Sequence, residues 1–173
     1  MQSFRVIKPT AALVPYVRHY WVLSDDALAP VSERTLPVGC VQMVFHRGRQ
    51  LFSLTEGRLQ PSSFISGQAF GYSDVESTGM LEMIVVVFQP FAAKAFLHMP
   101  VSEFRGMNVN TEETGDPLLV DLGRRIADMP DRIACIRLIE EFLLSRLYAF
   151  PEYNLKRVSS VLEAVNLHPH MRT

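Results

Sequence analysis

At Phe88-Gln89-Pro90-Phe91 the spacing of the apolar residues changes, and a chain with that change must build two kinds of element in order. Upstream lie short β-branched and aromatic runs separated by Gly, Pro and Ser. Downstream the apolar residues recur at the three- and four-residue spacing of a helix face. The pattern predicts an α+β chain with its strands first and its helices second.

In the first half, Tyr16-Val17-Arg18-His19-Tyr20-Trp21-Val22-Leu23 follows Pro15 and is dense in strand-preferring residues. Leu36-Pro37-Val38-Gly39 signals a turn before a second strand, Cys40-Val41-Gln42-Met43-Val44-Phe45. Gly48 is expected at the tip of a hairpin returning through Leu51-Phe52-Ser53-Leu54. A further piece, Phe64-Ile65-Ser66-Gly67-Gln68, follows Pro61-Ser62-Ser63. The last strand ends at Phe88 and is apolar at every residue from Met83, as expected of a strand covered on both faces. Several short strands at close spacing fit a small barrel or a sandwich.

In the second half, Pro90 suits a first helical position, which predicts a helix from Phe91 to Leu97 ending before Met99-Pro100. Ser102 is expected to cap a short turn, and Met107-Asn108-Val109-Asn110 to offer only a weak apolar contact. Asp116-Pro117 is a start signal, with Asp as cap, and Leu118, Leu119, Leu122 and Ile126 share the face that follows. Pro130-Asp131 opens a longer helix with a stripe at Ile133, Ile136, Ile139, Leu143 and Leu147. A second stripe, Cys135, Leu138 and Phe142, widens its apolar surface beyond what one packing partner needs. That helix is either buried against two neighbours or leaves a face, centred on Ile136, Ile139, Leu143 and Leu147, for a second copy of the chain. A last helix is predicted from about Asn154, with Leu155, Val158, Val161, Leu162 and Val165 on one side. Phe150-Pro151 marks the best domain boundary.

With 173 residues and 48% hydrophobic composition the chain has ample material for one core. Its 17 Lys and Arg balance 18 Asp and Glu, and no basic block forms the footprint of a nucleic-acid surface. No apolar run approaches the roughly 20 residues that span a bilayer, and no leader pattern opens the chain, so a cytoplasmic location is expected. Cys40 and Cys135 lie far apart outside any CxxC pair and are expected as buried thiols rather than zinc ligands. His19 and His46 are isolated, and His168-Pro169-His170 follows a helix with no carboxylate close by, so no metal set is expected. Ser66-Gly67 lacks the nucleophile-elbow spacing and no Cys stands beside a His, which leaves no visible catalytic residues.

Ligand binding has the better case, because a small barrel can hold one small molecule. By the period of two, Tyr16, Arg18 and Tyr20 share one face of the first strand while Val17, His19 and Trp21 share the other. Gln42 and Val44 alternate with Met43 and Phe45 in the same way. Candidate ligand-binding residues are Arg18, His19, Tyr20, Trp21, Gln42 and Phe45, with the inward face left open.

Pro15-Tyr16-Val17 with Tyr20-Trp21, Leu36-Pro37-x-Gly39, Phe64-Ile65-Ser66-Gly67-Gln68 and Phe88-Gln89-Pro90 before Phe96-Leu97 together resemble the N-terminal region of AraC-type bacterial transcriptional regulators. Ile139-Glu140-Glu141-Phe142-Leu143 and Arg146-Leu147 resemble the helix that ends that region, so the likeness runs from about residue 9 to residue 147. It departs at Val38, where an acidic residue is common. The resemblance implies a cupin-like β-barrel sensing a small-molecule effector and a helical dimerisation segment, together residues 1–150. It also implies that residues 151–173 begin a helix-turn-helix region cut before its recognition helices, with DNA contacted only through the missing part. A homodimer, no enzymatic activity, no cofactor and no membrane association are expected on this reading. The alternatives are a cupin-like metal-dependent enzyme and a stand-alone small-molecule-binding module.

Overall fold

The structure, a computed structural model, describes residues 2–147. The predicted last helix and the segment 151–173 lie outside the described residues.

The strand that organises the fold is the apolar run at its centre. In chain order the strands are β1 Ser3–Ile7, β2 Val17–Asp25, β3 Ser32–Thr35, β4 Gln42–His46, β5 Leu51–Ser53, β6 Arg58–Leu59, β7 Ser63–Ser66, β8 Ser73–Ser77, β9 Leu81–Phe88 and β10 Asn108–Asn110. They form a six-stranded sheet ordered β1-β2-β9-β4-β7-β10 and a four-stranded sheet ordered β3-β8-β5-β6. Every strand pairing is antiparallel. Two helices, α1 Pro117–Asp128 and α2 Arg132–Leu147, cover the outer face of the larger sheet. The α+β class and the strands-then-helices order expected from the sequence are what the structure has.

β9 sits between β2 and β4, and its alternate residues serve two cores. Ile84, Val86 and Phe88 pack with Leu119, Ile126 and Ile139 beneath the helices. Met83, Val85 and Val87 pack with Val44, Phe64 and Val75 between the sheets. Each such side chain contributes roughly 1.5–3 kcal/mol by leaving water, so a strand this apolar is stable only with cover on both sides.

The expected closed barrel is not formed. Among the described residues no strand of one sheet pairs with a strand of the other, and the two stack as an open sandwich. The expected hairpin at Gly48 fails for the same reason, since β4 belongs to the larger sheet and β5 to the smaller. Gly48 instead marks where the chain crosses between them. A Cβ there would lie 2.5 Å from the Met80 carbonyl oxygen, and the neighbouring Arg47 and Arg49 N–H groups donate to Glu82 and Met80.

The segment after Pro90 also departs from expectation. Phe91 takes a left-handed conformation (φ 65°), and only a 3₁₀ turn, Ala92–Ala95, follows. A left-handed residue interrupts the αR run that a longer helix needs. Ser102 is not a cap, because the turn Val101–Phe104 begins at Pro100 without a side-chain cap bond. Asn108–Asn110 is a strand edge paired with β7 rather than a loose contact.

Both helix starts match the sequence signals. The Asp116 carboxylate accepts from the Leu118 and Leu119 N–H groups at 3.2 and 3.3 Å, and Asp131 does the same for Ile133 and Ala134 at 3.0 and 3.3 Å. Leu118 is exposed, so the buried face of α1 is Leu119, Leu122 and Ile126. The wide stripe of α2 is taken up inside the chain. Ile136, Ile139 and Leu143 are buried, Leu147 packs against them, and Cys135 and Leu138 are buried beside them. Of the two readings left open for these four positions, the structure shows packing within the chain's own core, and Ile133 is left in solvent.

Polar bonds fix how the helices sit. The Arg146 guanidinium lies on the Asp116 carboxylate through two 2.7 Å contacts, with both side chains under 10% exposed, and donates to the Phe96 carbonyl at 3.1 Å. Arg47 on the sheet side binds Glu82 and the Ile126 and Met129 carbonyls at the end of α1, and Arg132 reaches Glu82 at 3.0 Å. Burial alone raises the Asp116 pKa, but Arg146, the Leu119 N–H and His98 outweigh it and hold the carboxyl below its ordinary 3.8. The folded state therefore prefers the ionised form, and its contribution is present above pH 3.8 and lost as pH falls through the lower folded value.

Replacing Arg146 by Met is expected to lower unfolding stability by about 3–5 kcal/mol, because Asp116 is left buried without its cation. Urea titrations should also show a weaker loss of stability below pH 4 in R146M than in the parent protein.

Candidate functional site

Strand alternation gives the inner face of the larger sheet a lattice of side chains, since directly paired residues point to the same side. One row across β2, β9, β4 and β7 is Trp21, Val85, Val44 and Phe64. The next row, two residues and ~7 Å along, is His19, Val87, Gln42, Ser66 and Asn108, continuing onto β10. On the other side Leu23, Met83 and His46 make a third. An apolar central row thus lies beside a row whose far end is polar.

Above this floor the smaller sheet supplies Leu51, Ser73 and Val75, and the two sheets enclose a cavity of about 570 Å³. That volume falls in the range typical of small-molecule sites. Its rim carries Leu36, Val38, Phe70, Tyr72 and Met107, all large apolar side chains held in solvent. The rim depends on Gly67, where a Cβ would lie 1.5 Å from the Phe104 carbonyl oxygen. There the Gly67 and Gly106 N–H groups donate to Met107 and Gln68, clamping the loop after β7 against the loop before β10.

The cavity's polar groups are nearly all neutral. Gln42 and Ser66 face it with no side-chain hydrogen bond within the described residues. Among the described residues none that lines it is Lys, Arg or His. Its one carboxylate, Glu56, is bound to Arg58 at 2.8 Å. The nearby guanidinium of Arg34 lies over the Tyr72 ring and is bound to Asp74 at 2.8 Å, and that of Arg105 lies over Phe70. Cys40 lines the wall, and burial pushes its thiol pKa up, partly opposed by Arg18. Neither cysteine is in a disulfide, and both are buried. Among the described residues no group of three His, Cys, Asp or Glu side chains comes together to hold a metal ion.

The six candidate ligand residues divide between two compartments. Trp21 and Gln42 line the cavity. His19 shares their face at the outer end of the polar row, with its pKa lowered by burial and by Arg18. Arg18 is exposed beside the cavity. Tyr20 and Phe45 face the helices and are fully buried in the other core. The Tyr20 hydroxyl donates to Glu140 at 3.1 Å, and Glu140 also accepts from the Thr10 N–H. Burial, then the Glu140 charge, raises the Tyr20 pKa far above its ordinary value, so it remains a donor tying α2 to the sheet. Phe64, Ser66, Val85 and Asn108 were missed as site residues. The period of two that separated Gln42 from Met43 would have found the first three, whereas Asn108 needed β10 to be recognised as a strand.

His46 stands at the end of the inner face of β4, where its Nε2 lies 3.2 Å from Gln60 Oε1 and its Nδ1 is buried without a partner. Gln60 in turn lines the cavity. Burial lowers the His46 pKa to about 4, opposed in part by the Gln60 bond. The imidazole is neutral at pH 7, its Nε2–H donates to Gln60, and the Gln60 N–H₂ has no partner among the described residues.

Residues 5–110 match the family model described as Domain of unknown function (DUF6597). No curated protein matches the chain. A solved structure titled "Crystal Structure of CoII HppE in Complex with Tris Buffer" is similar over 50% of this chain and 53% of its own, at 10% identity and a TM-score of 0.38. The chain spans about half the length of that structure, and a likeness this weak carries no argument. No helix among the described residues is long and apolar enough to cross a membrane.

Because the unfolded state takes up a proton near 6.5 and folded His46 only near 4, stability is full above pH 6.5 and falls as pH drops towards 4. The expected slope from this residue is up to about 1.4 kcal/mol per pH unit. Chemical denaturation between pH 7 and pH 4 should show that slope in the parent protein and a flatter line in His46→Leu.

Proposed function

The chain belongs to the DUF6597 family, and we propose that it is the ligand-sensing part of an AraC-type transcriptional regulator. The observation that carries this reading is the cavity between the sheets, with its uncommitted polar groups and its apolar rim. Two further facts support it. The family's domain occurs N-terminal to AraC-type regulators, and the local motifs from Pro15-Tyr16-Val17 to Arg146-Leu147 resemble the sensing region of such proteins.

The route from ligand to output runs through the shared strands. β2, β4, β7 and β9 present one set of side chains to the cavity and the alternate set to the helix-facing core. A molecule that orders the cavity side biases the packing of α1 and α2, provided it binds two helix arrangements with different affinity. DNA contact would belong to a helix-turn-helix region following the sensing unit, in keeping with the balanced charge here. Partners on this reading are a small-molecule effector and a second copy of the regulator.

A thermal-denaturation screen of the purified chain against neutral small metabolites tests the proposal. A true effector at about 100 times its Kd is expected to raise Tm by about 5–10 °C. It should also change the emission of Trp21, the only tryptophan in the chain. A Tm rise that survives filling the cavity by Val85→Phe would place binding elsewhere and sink the reading.

A further inference from the structure

We infer that the cavity selects an uncharged molecule with an apolar, ring-sized body and one hydrogen-bonding end, and that it rejects anions. This deepens the ligand-sensing reading and rests on it.

The orientation follows from the floor lattice. The body lies along the apolar row Trp21–Val85–Val44–Phe64, beneath the exposed rings of Phe70 and Tyr72 at the rim. Exposed apolar residues gathered round one opening are costly in water, and covering them is the gain such a ligand supplies. The polar end lies at Gln42, Ser66 and Asn108, which stand side by side on β4, β7 and β10. The Gln42 amide and Ser66 hydroxyl hold both donors and acceptors free, and the Asn108 amide has only a long 3.5 Å bond to Glu56. A carbonyl, amide or hydroxyl meets matching groups there.

The charge selection follows from what the wall lacks. An anion moved from water into this space needs a cation or several convergent N–H groups to replace its hydration. The wall has no cationic side chain among the described residues, and its one carboxylate repels an anion. Of the four guanidinium groups nearby, Arg58 is bound to Glu56, Arg34 to Asp74 with its face on Tyr72, Arg105 lies over Phe70, and Arg18 is exposed to water outside the lining. A ligand phosphate or carboxylate would therefore meet only the neutral donors of Gln42, Gln60, Ser66 and Asn108, and no counter-charge within the lining.

The test uses two naphthalene dyes of similar size. One is the neutral ketone 6-propionyl-2-(dimethylamino)naphthalene, whose emission shifts to the red when its carbonyl accepts hydrogen bonds. The other is the anion 1-anilinonaphthalene-8-sulfonate. Binding is read by energy transfer from Trp21, which lines the cavity, and its loss when Val85→Phe fills that space assigns the dye to the cavity. The ketone is expected to quench Trp21 and to bind at least tenfold more tightly than the sulfonate. In Gln42→Leu/Ser66→Ala its bound emission should move to the blue and its Kd rise by about five- to tenfold, the loss of one or two hydrogen bonds. Equal affinity for the sulfonate overturns the charge selection while leaving a ligand cavity in place. Unchanged ketone emission and Kd in the double variant overturn the assignment of the polar end. No quenching of Trp21 by either dye overturns the cavity itself and the sensing reading with it.

Discussion

The double burial of β9 is the constraint from which the rest of the fold follows. A strand with Met83, Ile84, Val85, Val86, Val87 and Phe88 in succession has no polar face to give to water. It needs helices on one side and a second sheet on the other, and the chain supplies them in that spatial order. The smaller sheet is short of covering the larger one, four strands against six, and a cavity stands beside the apolar core between them. The cavity is therefore a product of unequal layers, not of a barrel lumen.

On the opposite side the helices are held by contacts of two kinds. Apolar packing supplies most of the energy but little direction, since a greasy face slides at small cost. Direction comes from a few polar anchors that reach across layers. Arg47 grips the end of α1 from the sheet, Tyr20 holds the middle of α2 through Glu140, and Arg146 ties the far end of α2 to the cap of α1.

Much of this was legible in the residues, within limits that have physical causes. The ends of β9 and the starts of α1 and α2 could be read because one-dimensional signals decide them: an unbroken apolar run, and Asp followed by two free N–H groups. Pairing between distant strands could not. Nothing local in Arg47-Gly48-Arg49 says that the chain changes sheets there, since the reason is the Met80 backbone more than thirty residues away. β1, β3, β8 and β10 are polar or half exposed and become strands only through their neighbours. The face of α2 was seen as a stripe, but its partner was not, because a helix stripe looks the same whether it meets its own sheet or another chain. Two of the six candidate residues, Trp21 and Gln42, line the cavity and His19 shares their sheet face, because the period of two holds where a strand is regular. Which face looks into the cavity could not be known until the helices claimed the other.

The alternation along β4 has a consequence for how such a protein can diverge. Met43 and Phe45 belong to the core beneath the helices, while Gln42 and Val44 belong to the cavity. Neighbouring codons thus answer to separate demands. Exchanging every second residue of four strands would reshape the cavity and keep unaltered the set that holds the helices. The sheet works as a partition between two sets of side chains, one committed to the helices and the other facing the cavity.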